Sequence, residues 1–117
     1  MRTIKFRAWH SITQTMCDDI STGTIRIFTK DHSFLASECK FMQFTGLLDK
    51  NGKEIYHKDF VQDTDGNTYR VQWDGHDAEF YLAVLKSITG FSNLTASLAR
   101  DMEVIGNIYE DPKLIKT

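Results

Sequence analysis

Polar and apolar residues alternate from the start of the chain. Ile4, Phe6 and Ala8 fall on one face; Thr3, Lys5, Arg7 and Trp9 fall on the other. Period two predicts a strand with one buried face. Residues 16–20 and 24–28 read as two further short strands, with Ser21-Thr22-Gly23 as a tight reversal between them. Residues 29–38 are mixed and polar and predict a loop or an irregular turn. Alternation returns over 40–45, with Met42 and Phe44 on one side. Asp49-Lys50-Asn51-Gly52 is a turn: Asp opens it, Asn tolerates the left-handed region, and Gly accepts positive φ. Apolar pairs follow at Ile55-Tyr56 and Phe60-Val61, and Asp63-Thr64-Asp65-Gly66-Asn67 is a second turn of the same chemistry.

The clearest strand is 68–73, where Tyr69, Val71 and Trp73 are expected in the core and Arg70 and Gln72 in water. Asp74-Gly75-His76-Asp77 turns back into a strand over Phe80–Leu85. Leu94 and Leu98, four apart, with Ala96 and Ala99 beside them, predict a short helix or helical turn capped by Asn93 or Ser92. A final strand runs over Glu103–Tyr109, where Gly106 marks a bulge or a close approach to a large neighbour such as an aromatic ring. Pro112 then ends the ladder. Short strands with Asn/Asp-Gly turns predict a small, mainly β fold, a sandwich or a barrel.

Composition narrows this picture only a little. The 117 residues fit one domain, and 41% hydrophobic content is too high for disorder. The net charge is -2, split as +2 over residues 1–40 and -4 over the rest, so nothing global favours a polyanion. Two cysteines, Cys17 and Cys39, are read as reduced and intracellular, although nothing forbids a pair. No apolar run is long enough for a signal peptide or for the ~18 residues of a membrane span. The Asn93-Leu94-Thr95 glycosylation pattern is therefore read as chance.

The chemical motifs fail one by one. Gly46 and Gly52 are one residue too far apart for a phosphate loop, and Glu54 follows Lys53 where a hydroxyl is required. In Asp63–Asn67 the glycine comes at the fourth place, not the sixth that a calcium loop needs. His10, His32, His57 and His76 are scattered, and there is no Cys-x-x-Cys, so no metal site is expected. Asp18 and Asp19 are adjacent and on a strand would point apart. No catalytic or cofactor residues are assigned. One binding constellation stands out: Arg2, Lys5, Arg7 and Trp9 interleave charge with an aromatic ring, as a single-stranded nucleic-acid platform does.

Taken in order, Ile4-Lys5-Phe6-Arg7-Ala8-Trp9, Met42-Gln43-Phe44-Thr45-Gly46-Leu47, Asp49 to Tyr56, Asp59-Phe60-Val61 and Glu103 to Glu110 resemble the YopX family of small phage and prophage proteins. The resemblance runs over 4–110. It implies a mainly β fold with small α content: a strand-rich N-terminal part over 1–40, packed on a C-terminal SH3-like small β-barrel over 41–111, in one domain of 1–117. It also implies a phage or prophage protein acting in the bacterial host cytoplasm, and it brings no catalytic residues. The chain departs from the family pattern twice. His10 stands where an acid is usual, and Lys58 stands where Gly precedes the acid of the Tyr-x-Gly-Asp segment. If that position needs positive φ, Lys58 is strained by about 1 kcal/mol or more.

The functional expectation is a non-enzymatic accessory protein, without cofactor, that binds a phage or host protein or itself. Nucleic-acid binding through Arg2, Lys5, Arg7 and Trp9 is the alternative, and no membrane association is expected. Core contributions are expected from Ile55, Val71, Trp73, Val104 or Ile105, and Ile108. On this reading Trp73→Ala costs about 3–5 kcal/mol, whereas Lys53→Ala stays within about 0.5 kcal/mol. Urea unfolding of the two variants compares them.

Overall fold

The structure is a computed structural model that describes residues 5–18, 20–22, 26–30, 33–75, 79–84 and 91–116. The described residues are mainly β. The chain divides into two compact units, Met1–Phe44 and Thr45–Thr117.

In the first unit β1 (Phe6–His10) pairs antiparallel with β2 (Thr15–Cys17) on one side and with β6 (Cys39–Leu48) on the other. A second sheet has the order β3 (Ser21–Thr22), β4 (Arg26–Phe28), β5 (Ser33–Leu35), followed by a 3₁₀ turn at Ala36–Glu38. Ala8, Cys17, Ile27 and Cys39 form this unit's buried cluster, with Ile20, Phe34 and Ala36 packed against it. Two expectations need correction. Ser21 and Thr22 are strand residues paired with Phe28 and Ile27, not a reversal, and the connection 23–25 lies outside the described residues. Residues 33–35 are a strand, not a loop or irregular turn, because Phe34 pairs with Ile27 and packs against the core, while Ala36–Glu38 is a 3₁₀ turn, as the alternative reading allowed. Cys17 and Cys39 are free. They lie on the strands flanking β1, two strand spacings or roughly 9–10 Å apart, beyond the reach of a disulfide.

In the second unit the end of β6 is paired with β7 (Glu54–Tyr56). The five-stranded sheet has the order β11 (Phe91–Asn93), β10 (Glu79–Val84), β9 (Thr68–Asp74), β8 (Asp59–Gln62), β12 (Glu103–Asn107). It is an antiparallel meander whose last strand returns beside the first. α1 (Ala96–Ala99) precedes that strand, and its cap is Thr95, whose hydroxyl accepts from Leu98 N; neither Asn93 nor Ser92 caps it. The core here is Ile55, Val61, Val71, Phe80, Leu82, Ala99 and Met102, with Leu47, Tyr69, Leu94 and Val104 against it. Val104, rather than Ile105, makes the last strand's contribution.

Trp73 is the main error in the sequence reading: it is 40% exposed. It shares a face with Val71 but stands two residues further on, at the end of β9, where the apolar face of the sheet runs out. Its ring makes a T-shaped contact with its cross-strand partner Phe80, at 4.8 Å between centroids. The bulge at Gly106 is present, as a register shift between Val104 and Gly106. The close neighbour is not an aromatic ring but the Asp111 carboxylate: a Cβ on Gly106 would lie 2.8 Å from its carbon. Asp111 in turn accepts a hydrogen bond from Asn107 N at 3.2 Å.

Carboxylates close the turns, one of them, Asp49, buried. Asp49 Oδ1 accepts from Asn51 N at 2.8 Å and Lys53 N at 2.9 Å, and its Oδ2 accepts from Val104 N at 2.9 Å. Lys50 N adds a bond to Met102 O at 2.9 Å. Asp63 does the same for its hairpin, accepting from Asp65 N, Asn67 N and the Tyr69 hydroxyl. All the oxygens of that would-be calcium loop's first acid are thus engaged in the turn. Burial pushes the Asp49 carboxyl up, but the three N–H donors outweigh it and hold the group below its ordinary value.

Lys58 has φ +78°. It is fixed there from both sides: its N–H donates to Val71 O at 2.9 Å, and its carbonyl accepts from Ile108 N at 3.2 Å. The conditional expectation of strain is met.

Three measurements follow from these contacts. Phe60 is fully buried, and Phe60→Ala is expected to cost about 3–5 kcal/mol, against about 1–2 kcal/mol for the half-exposed Trp73→Ala; urea unfolding separates them. Lys58→Gly removes the left-handed clash and should raise stability by about 0.5–1 kcal/mol, after the extra chain entropy of glycine. The third concerns acid. A carboxyl whose folded pKa lies below its unfolded value of about 3.9 contributes stability that is complete above that value. The contribution is lost as pH falls through the lower folded value. Asp49→Asn should therefore cost about 1–2 kcal/mol at neutral pH, and the gap from the parent should close as unfolding is measured at progressively lower pH below 4.

Candidate functional site

The N-terminal strand was expected to present a charged, aromatic outer face. Arg2 lies outside the described residues. Lys5 is half-buried, with its ammonium 5.6 Å from the centre of the Phe44 ring. Arg7 is 7% exposed and Trp9 is 8% exposed. Ala8 and His10, on the other face, are buried as well. Residues 7–10 are therefore covered on both sides, and alternation in the sequence did not mean one wet face. Of the expected platform, the Trp9 ring and Arg7 are buried rather than turned to solvent.

The residues that are presented are apolar. Phe6, expected inward, is 43% exposed, and Phe41 is 40% exposed. In the β1–β6 register Phe6 lies opposite Gln43 and Ala8 opposite Phe41. Cross-strand partners share a face, so Phe6 and Phe41 are diagonal neighbours on the face that carries Ala8 and Cys39. They stand on the face that carries this cluster, outside it, and leave two rings half in solvent.

His10 is the polar residue that sequence reasoning left without a role. Its Nδ1 is 2.6 Å from Thr13 Oγ1 and accepts from Thr13 N at 3.3 Å. Its Nε2 is 2.9 Å from Glu38 Oε1. With Nδ1 accepting, Nε2 carries the proton and donates it to the carboxylate. The ring stacks on Phe34 at 4.1 Å. The partners His10 and Glu38 are 28 residues apart, so no local motif could announce them. The arrangement pins the β1–β2 turn to the 3₁₀ turn, and Ser11 adds backbone and hydroxyl bonds to Glu38 O.

Thiol chemistry has little support. Burial first, then the neighbouring Asp18 charge, pushes the Cys17 thiol up, and burial does the same at Cys39. Both are thereby held as thiols, not as nucleophilic thiolates. Among the described residues no three His, Cys, Asp or Glu side chains converge as a metal centre requires. None of the described helices is long and apolar enough to cross a membrane.

The two units, with their sheets and the turns that close them, can be set beside known proteins. The crystal structure of protein EF1440 from Enterococcus faecalis is similar over 98% of this chain and 99% of that one, with a TM-score of 0.69 at 23% identity. At that identity the likeness is one of fold. No curated protein matches this sequence. The model of the YopX protein family matches residues 5–116, nearly the whole chain. The chain belongs to the YopX family.

Proposed function

We propose that this protein is a non-enzymatic accessory protein of a phage or prophage, working in the bacterial host cytoplasm by binding a protein. The partner is a phage protein, a host protein or a second copy of the chain. The observation that carries this reading is the half-exposed pair Phe6 and Phe41. Two half-exposed rings at diagonal positions on one face of a sheet are an apolar surface of the kind that protein contacts cover. β2 is an edge strand of the same sheet, the kind of position at which strand addition occurs.

The second unit reads as an SH3-like small β-barrel. Its support is the connectivity: a meander from β8 to β11, a helical turn, then β12 beside β8. Folds of that kind carry many functions, so the barrel does not choose one. The nucleic-acid reading on Arg2, Lys5, Arg7 and Trp9 loses support from the burial of Arg7 and Trp9.

The test compares the parent with a Phe6→Ser/Phe41→Ser double variant. Each is used to recover partners from phage-infected or prophage-induced host cells, and light scattering gives the size of each alone. A protein, or a second copy, that is held by the parent and lost with the variant at unchanged thermal unfolding is the expected result. Equal recovery by both, or recovery of nucleic acid alone, would count against it.

A further inference from the structure

The turn between β1 and β2 sets three side chains in series. Thr13 Oγ1 lies 2.6 Å from His10 Nδ1, and His10 Nε2 lies 2.9 Å from Glu38 Oε1. A hydroxyl, an imidazole and a carboxylate in hydrogen-bonded series are the arrangement that activates a weak oxygen nucleophile. Their burial suits that chemistry. His10 is 4% exposed and its ring stacks on Phe34, so the base is held in one orientation and shielded from water. Thr13 is exposed, so a reagent reaches its hydroxyl.

The proton positions agree with it. Thr13 N donates to Nδ1 at 3.3 Å, which keeps that nitrogen an acceptor and leaves the ring proton on Nε2, facing Glu38. The Thr13 hydroxyl is then the second donor to Nδ1. Thr15 Oγ1, 3.0 Å from Thr13 Oγ1, holds the hydroxyl from its other side. Glu38 is anchored as well, because Ser11 N and the Ser11 hydroxyl donate to its carbonyl at 3.1 and 2.8 Å. Closing the turn does not account for the hydroxyl: the bonds from Thr13 N to Nδ1 and from Nε2 to Glu38 would serve with valine at position 13. Gln14, next in the chain, has φ +55°, and its N–H makes no hydrogen bond among the described residues. The N–H that follows a nucleophile on a tight turn is a donor suited to an oxyanion.

We propose that Thr13 is a site of covalent acylation, with His10 as its general base and Glu38 as the residue that positions the base. The reagent is an activated acyl ester. His10 Nδ1 takes the hydroxyl proton as Thr13 Oγ1 bonds to the carbonyl carbon. The Glu38 carboxylate stabilises the imidazolium so formed. The bond from the carbonyl carbon to the leaving oxygen then breaks, its electron pair stays on that oxygen, and the proton on Nδ1 passes to it. The products are a Thr13 ester and a free alcohol, with nothing oxidised or reduced. A single transfer modifies the chain without turnover. The site is independent of the Phe6–Phe41 surface and stands or falls without it.

The experiment treats the full chain with para-nitrophenyl acetate at neutral pH. Nitrophenol release, intact mass and peptide mapping are read together. The parent should gain a single acetyl group, mapped to Thr13, with a matching release of nitrophenol. Thr13→Val keeps the shape and the backbone N–H bond to His10, so it should unfold like the parent and take no acetyl group in the turn. Thr13→Ser should still be labelled. His10→Gln should slow labelling at least about a hundredfold, the lower end of what a general base supplies. Glu38→Gln still accepts from Nε2 but lacks the charge, and should slow labelling about tenfold at unchanged thermal unfolding. Glu38→Asp, which restores a charge, should recover part of that loss. No acetyl group on Thr13 of the parent, labelling confined to lysine side chains, or parent-like rates in both His10→Gln and Glu38→Gln overturns the proposal.

Discussion

One carboxylate joins parts of the second unit that are far apart in the chain. Asp49 takes two N–H groups from its own turn and one from Val104, 55 residues on. A β-hairpin alone would leave those donors to water, and the last strand would be held by β8 only. With Asp49 buried among them, the turn after β6 and the start of β12 become a single hydrogen-bonded piece. Lys50 N to Met102 O reinforces it. Met102 and Val104 then bring their side chains to the core of Ile55, Val61 and Val71. Satisfying the buried donors and packing the core are thus one event. Losing the carboxylate would leave several donors unpaired at about 1–3 kcal/mol each.

The same device recurs where β12 ends. Asn107 is buried, its amide oxygen accepts from Tyr109 N and Glu110 N, and its amide nitrogen donates to Glu110 at 2.7 Å. The chain then folds back so that Asp111 lies against Gly106 and reaches Asn107 N. The bulge at Gly106 and the turn after it are therefore coupled: only a residue without a Cβ lets the carboxylate come in.

This explains which parts were legible in the sequence. Turns built on Asp, Asn and Gly could be read because their chemistry is local: Asp49 to Gly52 and Asp63 to Asn67 make their defining bonds within four residues. The Gly106 bulge was legible for the same reason, though not the identity of its neighbour. What failed was everything set by distant partners. The short strand 33–35 exists because Ile27 needs Phe34 opposite it. His10 acquires its role from Glu38, and Arg7 and Trp9 are buried although their alternation suggested a solvent face. Trp73 has the right parity for the core and the wrong position along the strand, a distinction that period two does not encode.

Function is hard to read here because folding uses most of the polar groups that would advertise it. Asp49, Asp59, Asp63, Asn107 and Asp111 are engaged by backbone N–H groups, so acids that resemble site residues in the sequence are turn residues in the fold. The positions that folding does not explain carry more information. A half-exposed phenylalanine pair gains nothing from water, and a lysine in a left-handed turn is worse for stability than glycine. Stability alone favours neither. Phe6 with Phe41 is for that reason the surface on which the proposed protein contact rests.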